Sequence, residues 1–170
     1  KMYLISSKHL AIYNQQNGQV QYEEIPLDYS RLNCILSLGK DTIGIGTNNG
    51  IILFFAKSKQ FRNVEMHFNV MRLFEDSHNE LWLCSKEQRG IVRYDPLTNE
   101  QQHYETPTQN MPKAELRSRD VIFEDSQGTL WVVPHLGCLS YYDREDKELK
   151  PYYTDYSKPE SKFTPVILNF

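Results

Sequence analysis

The stretch Leu73-Phe74-Glu75-Asp76-Ser77-His78-Asn79-Glu80-Leu81-Trp82-Leu83 returns as Ile122-Phe123-Glu124-Asp125-Ser126-Gln127-Gly128-Thr129-Leu130-Trp131-Val132. Both read apolar-Phe-Glu-Asp-Ser, three variable residues, then Leu-Trp-apolar. The tryptophans stand 49 positions apart (131 − 82 = 49). After each comes a glycine, a short apolar run and a Tyr-Asp: Gly90-Ile91-Val92-Arg93-Tyr94-Asp95 and Gly137-Cys138-Leu139-Ser140-Tyr141-Tyr142-Asp143. Two worn copies precede them. One is Thr42-Ile43-Gly44-Ile45-Gly46-Thr47 followed by Gly50-Ile51-Ile52-Leu53-Phe54; the other is Met2-Tyr3-Leu4-Ile5 followed by His9-Leu10-Ala11-Ile12-Tyr13-Asn14.

Each copy holds short runs rich in β-branched and aromatic residues, separated by turn formers. In the third copy the runs are Val70 to Asp76, Leu81 to Ser85, Ile91 to Asp95 and Gln101 to Glu105. Four strands per period of about 40 to 50 residues is the pattern of a propeller blade. The fold expected is therefore all-β, a partial β-propeller of about four blade-like four-stranded repeats cut from a larger propeller. Its divisions are 1–28, a partial blade with strands two to four; 29–66 and 67–106, one blade each; 107–157, a blade preceded by a long loop; and 158–170, the first strand of a further blade. Within the long connection Thr106 to Arg119, Pro107, Pro112 and Lys113 to Leu116 suggest one helical turn. Pro165 to Phe170 reads as the extra first strand.

Local chemistry explains the repeat. Asp-Ser after the first strand supplies side-chain oxygens for a tight turn, and Gly128 accommodates a positive φ there. A tryptophan two residues into the second strand can cover the next blade, so Trp131→Ala is expected to cost roughly 3 to 5 kcal/mol. Asp76, Trp82, Gly90, Tyr94, Asp125, Gly128, Trp131, Gly137 and Tyr142 are thus expected to be structural.

Composition limits the rest. The 170 residues are 39% hydrophobic and 24% charged, the profile of a folded domain. Nineteen Lys and Arg against twenty-two Asp and Glu give a formal charge of −3, without the positive excess that a phosphate backbone attracts. Mean hydropathy is −0.60, and the longest apolar run, Ile51 to Ala56, is far below the roughly 20 residues of a membrane helix. Neither nucleic acid nor membrane contact is expected. Cys34, Cys84 and Cys138 lack any Cys-x-x-Cys pairing, and the five histidines lack ligand spacing, so no metal or cofactor is expected. Cys84, next to Leu81-Trp82-Leu83, reads as a small buried hydrophobe. The chain begins at Lys1 without the pattern of a signal peptide and reads as a piece of a longer protein.

The pattern Phe-Glu-Asp-Ser-x-Gly-x-Leu-Trp followed by Gly-Cys-Leu-Ser-Tyr-Tyr-Asp resembles the propeller repeats in the periplasmic sensor region of hybrid two-component regulators of gut Bacteroidetes. Gly46-Thr47 keeps that family's Gly-Thr, whereas Cys84-Ser85 and Val133-Pro134 replace it and Gly44 stands where a tryptophan is usual. The resemblance implies a periplasmic part of an inner-membrane protein, flanked by a second propeller and a sandwich domain. It implies an extracytoplasmic sensor segment, not itself an enzyme, that binds an oligosaccharide and passes the signal to a histidine kinase.

Antiparallel alternation puts the connections after strands two and four on one face. Arg31, Asn48, Lys86, Arg89, His135 and the 106–119 connection with Arg117 would gather there. Arg31, Arg72, Arg119 and Lys162 fall at or near the starts of innermost strands, where guanidinium and ammonium groups could receive the carboxylate or sulfate of an acidic sugar. The Asp-Ser-x-Gly-x-x-Trp turn also resembles those of sialidases and streptogramin lyases, so a catalytic propeller is one rival and a protein-binding scaffold another. Turns alone do not transfer chemistry. Exposed blade edges are expected to pair with another copy of the fragment.

Overall fold

The computed structural model describes residues 1–6, 8–26, 31–39, 41–106, 120–133 and 139–152. Among these residues the regular structure is entirely β, in four antiparallel sheets whose strands follow sequence order. The first sheet has three strands, β1 (Met2–Ile5), β2 (His9–Tyr13) and β3 (Val20–Glu24). The second contains β4 (Leu32–Leu38), β5 (Thr42–Thr47), β6 (Gly50–Phe55) and β7 (Gln60–Glu65). The third runs β8 (Val70–Glu75), β9 (Leu81–Ser85), β10 (Ile91–Tyr94) and β11 (Gln101–Tyr104), and the fourth β12 (Val121–Glu124), β13 (Leu130–Val133), β14 (Ser140–Asp143) and β15 (Glu148–Pro151). Two compact units divide the chain at 75/76, after β8. The helical turn expected in 106–119, the strand expected at Pro165 to Phe170 and Gly137 lie outside the described residues.

The expected strands form, but three of the four in the third repeat end one residue early, at Glu75, Tyr94 and Tyr104. For two of them the reason is local: Asp76 and Asp95 leave the ladder because their carboxylates take up the N–H groups of the turn. Asp76 Oδ1 accepts the N–H of His78 at 3.0 Å and of Glu80 at 2.9 Å. Asp125 Oδ1 does the same for Gln127 at 2.9 Å and Thr129 at 3.0 Å. Asn79 (φ 60°) and Gly128 (φ 81°) occupy the left-handed position of the two turns, which asparagine and glycine tolerate best.

The aspartate does more than the turn requires. Its second oxygen accepts the indole N–H, Trp82 Nε1 to Asp76 Oδ2 at 2.9 Å and Trp131 Nε1 to Asp125 Oδ2 at 2.7 Å. Asp and Trp six residues apart therefore form one unit, closing the turn and fixing the indole. The glutamate before each aspartate joins successive repeats. In the first unit Glu75 Oε2 accepts Gly39 N–H at 3.0 Å. In the second, Glu124 accepts Ser77 N–H and Ser77 Oγ–H, both at 2.8 Å. Gly39 and Ser77 hold the same repeat position.

In the first unit the core joins Leu10, Ile12 and Ile25 to Ile43, Ile45, Ile52 and Phe54. In the second unit Trp82 is fully buried, with Tyr104 at 5.8 Å and Tyr142 of β14 at 4.8 Å between ring centroids. Burying an indole is worth a few kcal/mol, from roughly 150 to 250 Å² at about 25 cal/mol per Å². The Tyr104 and Tyr142 hydroxyls share a buried hydrogen bond of 3.0 Å. Burial first, and that bond second, push the Tyr104 phenol well above its ordinary range. Gly90 (φ 87°) brings β10 against β11 so closely that a Cβ there would lie 2.0 Å from Tyr104 O. Its N–H is received by Asp120 Oδ2 at 2.8 Å. Cys84 is buried among apolar residues, as expected.

Candidate functional site

In the first unit the starts of β4 and β8 and the β5–β6 turn share one end. Asn48 N–H donates to Arg31 O at 3.3 Å, and Asn33 Nδ2 donates to Asn69 Oδ1 at 2.6 Å and Val70 O at 2.9 Å. Asn33 stands at the bulge between Leu32 and Cys34, where the β4–β5 register shifts. The Asn33 and Asn48 side-chain oxygens are buried without a hydrogen-bond donor, which leaves two acceptors at this end. Arg31 and Arg72 are both exposed. Arg72 is close enough to act on the Cys34 thiol, which burial nonetheless pushes up to about 11; Cys34 is therefore a protonated thiol at neutral pH. The sequence placed Arg31, Asn48 and Arg72 on one face without showing Asn33 and Asn69, because strand residues without a charge carry no signal in a pattern of cations.

In the second unit the β9–β10 turn carries Lys86 and Arg89. Lys86 is exposed, whereas Arg89 is committed to structure: Nη2 donates to Thr106 O at 3.1 Å, and its own carbonyl lies 2.6 Å from His103 Nε2. Arg89 thus holds the backbone at this turn with one of its guanidinium nitrogens. Arg117, Arg119, His135 and Lys162 lie outside the described residues.

The opposite end of the second unit holds a charged network that the sequence did not reveal. Arg144 Nη2 donates to Asp76 Oδ2 at 2.7 Å and Nη1 to Glu80 Oε2 at 2.6 Å, while Glu124 Oε1 lies 3.8 Å away. Arg93 donates to the other oxygen of Glu80 at 2.8 Å. Burial favours the neutral form of Asp76, but hydrogen bonds from Arg144, Trp82 and the Glu80 N–H outweigh it and hold the carboxyl below its ordinary range. Arg144 follows a Tyr-Asp whose counterpart, Tyr94-Asp95, precedes Pro96, so repeat matching gives it no weight. Asp76, His78 and Glu124 place ligand atoms within 4.8 Å of one another. Their carboxylates are already taken by the Arg144 guanidinium, the Trp82 indole and Ser77, so this donor set suits a guanidinium and not a metal ion. A polar cleft of about 340 Å³ lies nearby, lined by Arg93, Asp95, Glu100, Gln101 and Gln102.

The fold has solved counterparts. The extracellular domain of the hybrid two-component system BT4673 of B. thetaiotaomicron superposes with a TM-score of 0.61 at 20% identity, over 79% of this chain and 19% of its own. That of BT3049, another hybrid two-component system of the same organism, gives 0.57 at 22%, over 79% and 17%. An auxiliary nutrient binding protein from Bacteroides thetaiotaomicron gives 0.63 at 16%, over 88% and 37%. The chain therefore spans about a fifth of the two extracellular domains and just over a third of the nutrient-binding protein. No family model and no curated protein matches the sequence. No helix among the described residues is long and apolar enough to cross a membrane.

Proposed function

We propose that this chain is a run of blades from an extracytoplasmic β-propeller of a hybrid two-component regulator, located in the periplasm, that binds an oligosaccharide and passes the signal to a histidine kinase. The observation that carries this reading is the shared fold with extracellular domains of such systems over 79% of the chain. The match to a nutrient-binding protein favours ligand capture over the catalytic and scaffold alternatives. The four sheets act as blades, and neighbouring propeller and sandwich domains of the longer protein complete the sensor. The binding surface is the end carrying Arg31, Asn48 and Arg72, where exposed guanidinium groups receive acidic substituents.

Calorimetric titration with uronic-acid and neutral oligosaccharides tests this. The acidic sugars should bind more tightly, the preference shrinking with added salt and falling at least about tenfold in Arg31→Ala/Arg72→Ala. Equal and salt-insensitive affinity for both would remove the charge argument. No binding of either, or turnover of the sugar, would overturn the sensor reading.

A further inference from the structure

The dipeptide Asn-Gly occurs twice in the chain, at Asn17-Gly18 and at Asn49-Gly50, and both lie in the first unit. The fold calls for glycine at each. Gly18 has φ 70° in the connection from β2 to β3; Gly50 has φ 121° at the start of β6, where a Cβ would lie 2.2 Å from Val64 O. Glycine also bares its own nitrogen. Without a Cβ beside it, that nitrogen can reach the side-chain carbonyl carbon of the preceding asparagine, provided the peptide between the two residues turns.

The two sites differ in how firmly that peptide is held. At Asn49 it is fixed from both ends: Asn49 O accepts Met66 N–H at 3.2 Å, and buried Gly50 is in register with Thr47 on one side and Glu65 on the other. Asn49 N–H donates to Thr47 Oγ1 at 3.1 Å and Asn49 Nδ2 to Glu65 Oε1 at 2.7 Å. Backbone and side chain are thus both tied to neighbouring strands. At Asn17 the surroundings are exposed from Gln15 onward. Gly18 N–H donates to Asn14 O at 2.9 Å, and the Asn17 side chain bonds to Gln19, with Oδ1 accepting its N–H at 3.1 Å and Nδ2 donating to its Oε1 at 3.2 Å. Every partner belongs to the same turn, so one local opening frees them all at small cost.

We propose that Asn17 is a site of spontaneous covalent modification, and that the fold withholds the same chemistry from Asn49. Hydroxide takes the Gly18 N–H proton and the nitrogen attacks Asn17 Cγ. The bond from Cγ to the side-chain nitrogen breaks, and that nitrogen takes a proton from water and leaves as ammonia, regenerating hydroxide. The cyclic imide then adds one water and opens at either carbonyl, giving aspartate or isoaspartate without oxidation or reduction. The connection from β2 to β3 gains one negative charge. The inference is independent of any ligand. Asn49 adjoins Asn48, so its protection also keeps a new carboxylate away from the end that carries Arg31 and Arg72.

Peptide mapping by mass spectrometry of the 170-residue chain, incubated at mildly alkaline pH with and without concentrated urea, tests it; circular dichroism verifies folding. In the folded chain the peptide carrying Asn17 should convert from amide to acid, partly as isoaspartate and faster as pH rises, at least about tenfold faster than the peptide carrying Asn49. In urea the two should convert at comparable rates, because the dipeptide is the same. Gly18→Ala, whose Cβ would meet no atom within 4 Å, should slow conversion of Asn17 several-fold. Glu65→Ala should quicken that of Asn49. An Asn17 that stays an amide in the folded chain, an Asn49 that converts as fast as Asn17 there, or a difference that persists in urea would overturn the proposal; an unchanged Asn49 in Glu65→Ala would overturn the part given to Glu65.

Discussion

The Asp76–Trp82 corner and the Asp125–Trp131 corner are the same local structure in two environments. Both aspartates close a turn with one oxygen and hold an indole with the other. Around Trp82, Tyr104, Tyr142 and Arg144 exclude water; around Trp131 the ring is half-buried. The local hydrogen bonds are thus independent of burial, while the energy of the corner depends on it. The second repeat shows a third solution. Leu38 and Gly44 occupy the Asp and Trp positions, and a Cβ on Gly44 would lie 3.1 Å from both Leu38 Cδ1 and Leu73 Cδ1. Leucine side chains fill the space an indole would take, and the aspartate disappears together with the N–H that it would serve.

The largest effect should come from Trp82→Ala, at about 3–5 kcal/mol, since a wholly buried indole and its hydrogen bond are both lost. Urea unfolding measures it, and a loss below about 1 kcal/mol would erase the contrast between the corners. Asp76→Ala should follow at about 2–4 kcal/mol, because it strands Arg144, the indole N–H and two backbone N–H groups together. Trp131→Ala should cost only about 1–2 kcal/mol, less than the 3 to 5 expected from sequence, because part of the removed area is in water already. A value equal to that of Trp82 would mean that the Trp131 indole is covered as completely as that of Trp82.

The smallest effect concerns acid. Asp76 is held below the ordinary 3.8, so its contribution is complete above that value and is lost as pH falls through its folded-state value. The acid limb of a stability profile should therefore flatten in Asp76→Asn. Asp125 is also lowered, by Trp131 and the turn N–H groups, but it is only partly buried where Asp76 is buried, and Asp125→Asn should change the limb less. Equal flattening would show that Arg144 adds little to the first corner.

Much of the fold was legible. Asp-Ser-x-x, the left-handed position filled by Asn79 or Gly128, and the short continuous apolar runs of β9 and β13 announce turn and strand because the groups concerned lie within six residues of one another. Arg31, Asn48 and Arg72 were legible as one end of the sheets, since antiparallel alternation alone assigns ends. The bond from Arg89 to the Thr106 carbonyl was not legible, because its partner is a backbone position that carries no side-chain signal. Asn33 and Asn69 went unseen for want of a charge.

Sequence alone therefore determined the repeating unit, its strands and its turn chemistry, all set by short-range sterics and hydrogen bonds. Tertiary structure decided which tryptophan is buried, that Arg144 reaches Asp76 across 68 positions and that Glu124 clamps Ser77 across 47. Those contacts depend on how successive sheets stack, and stacking is fixed by the summed packing of whole faces, which no single repeat encodes.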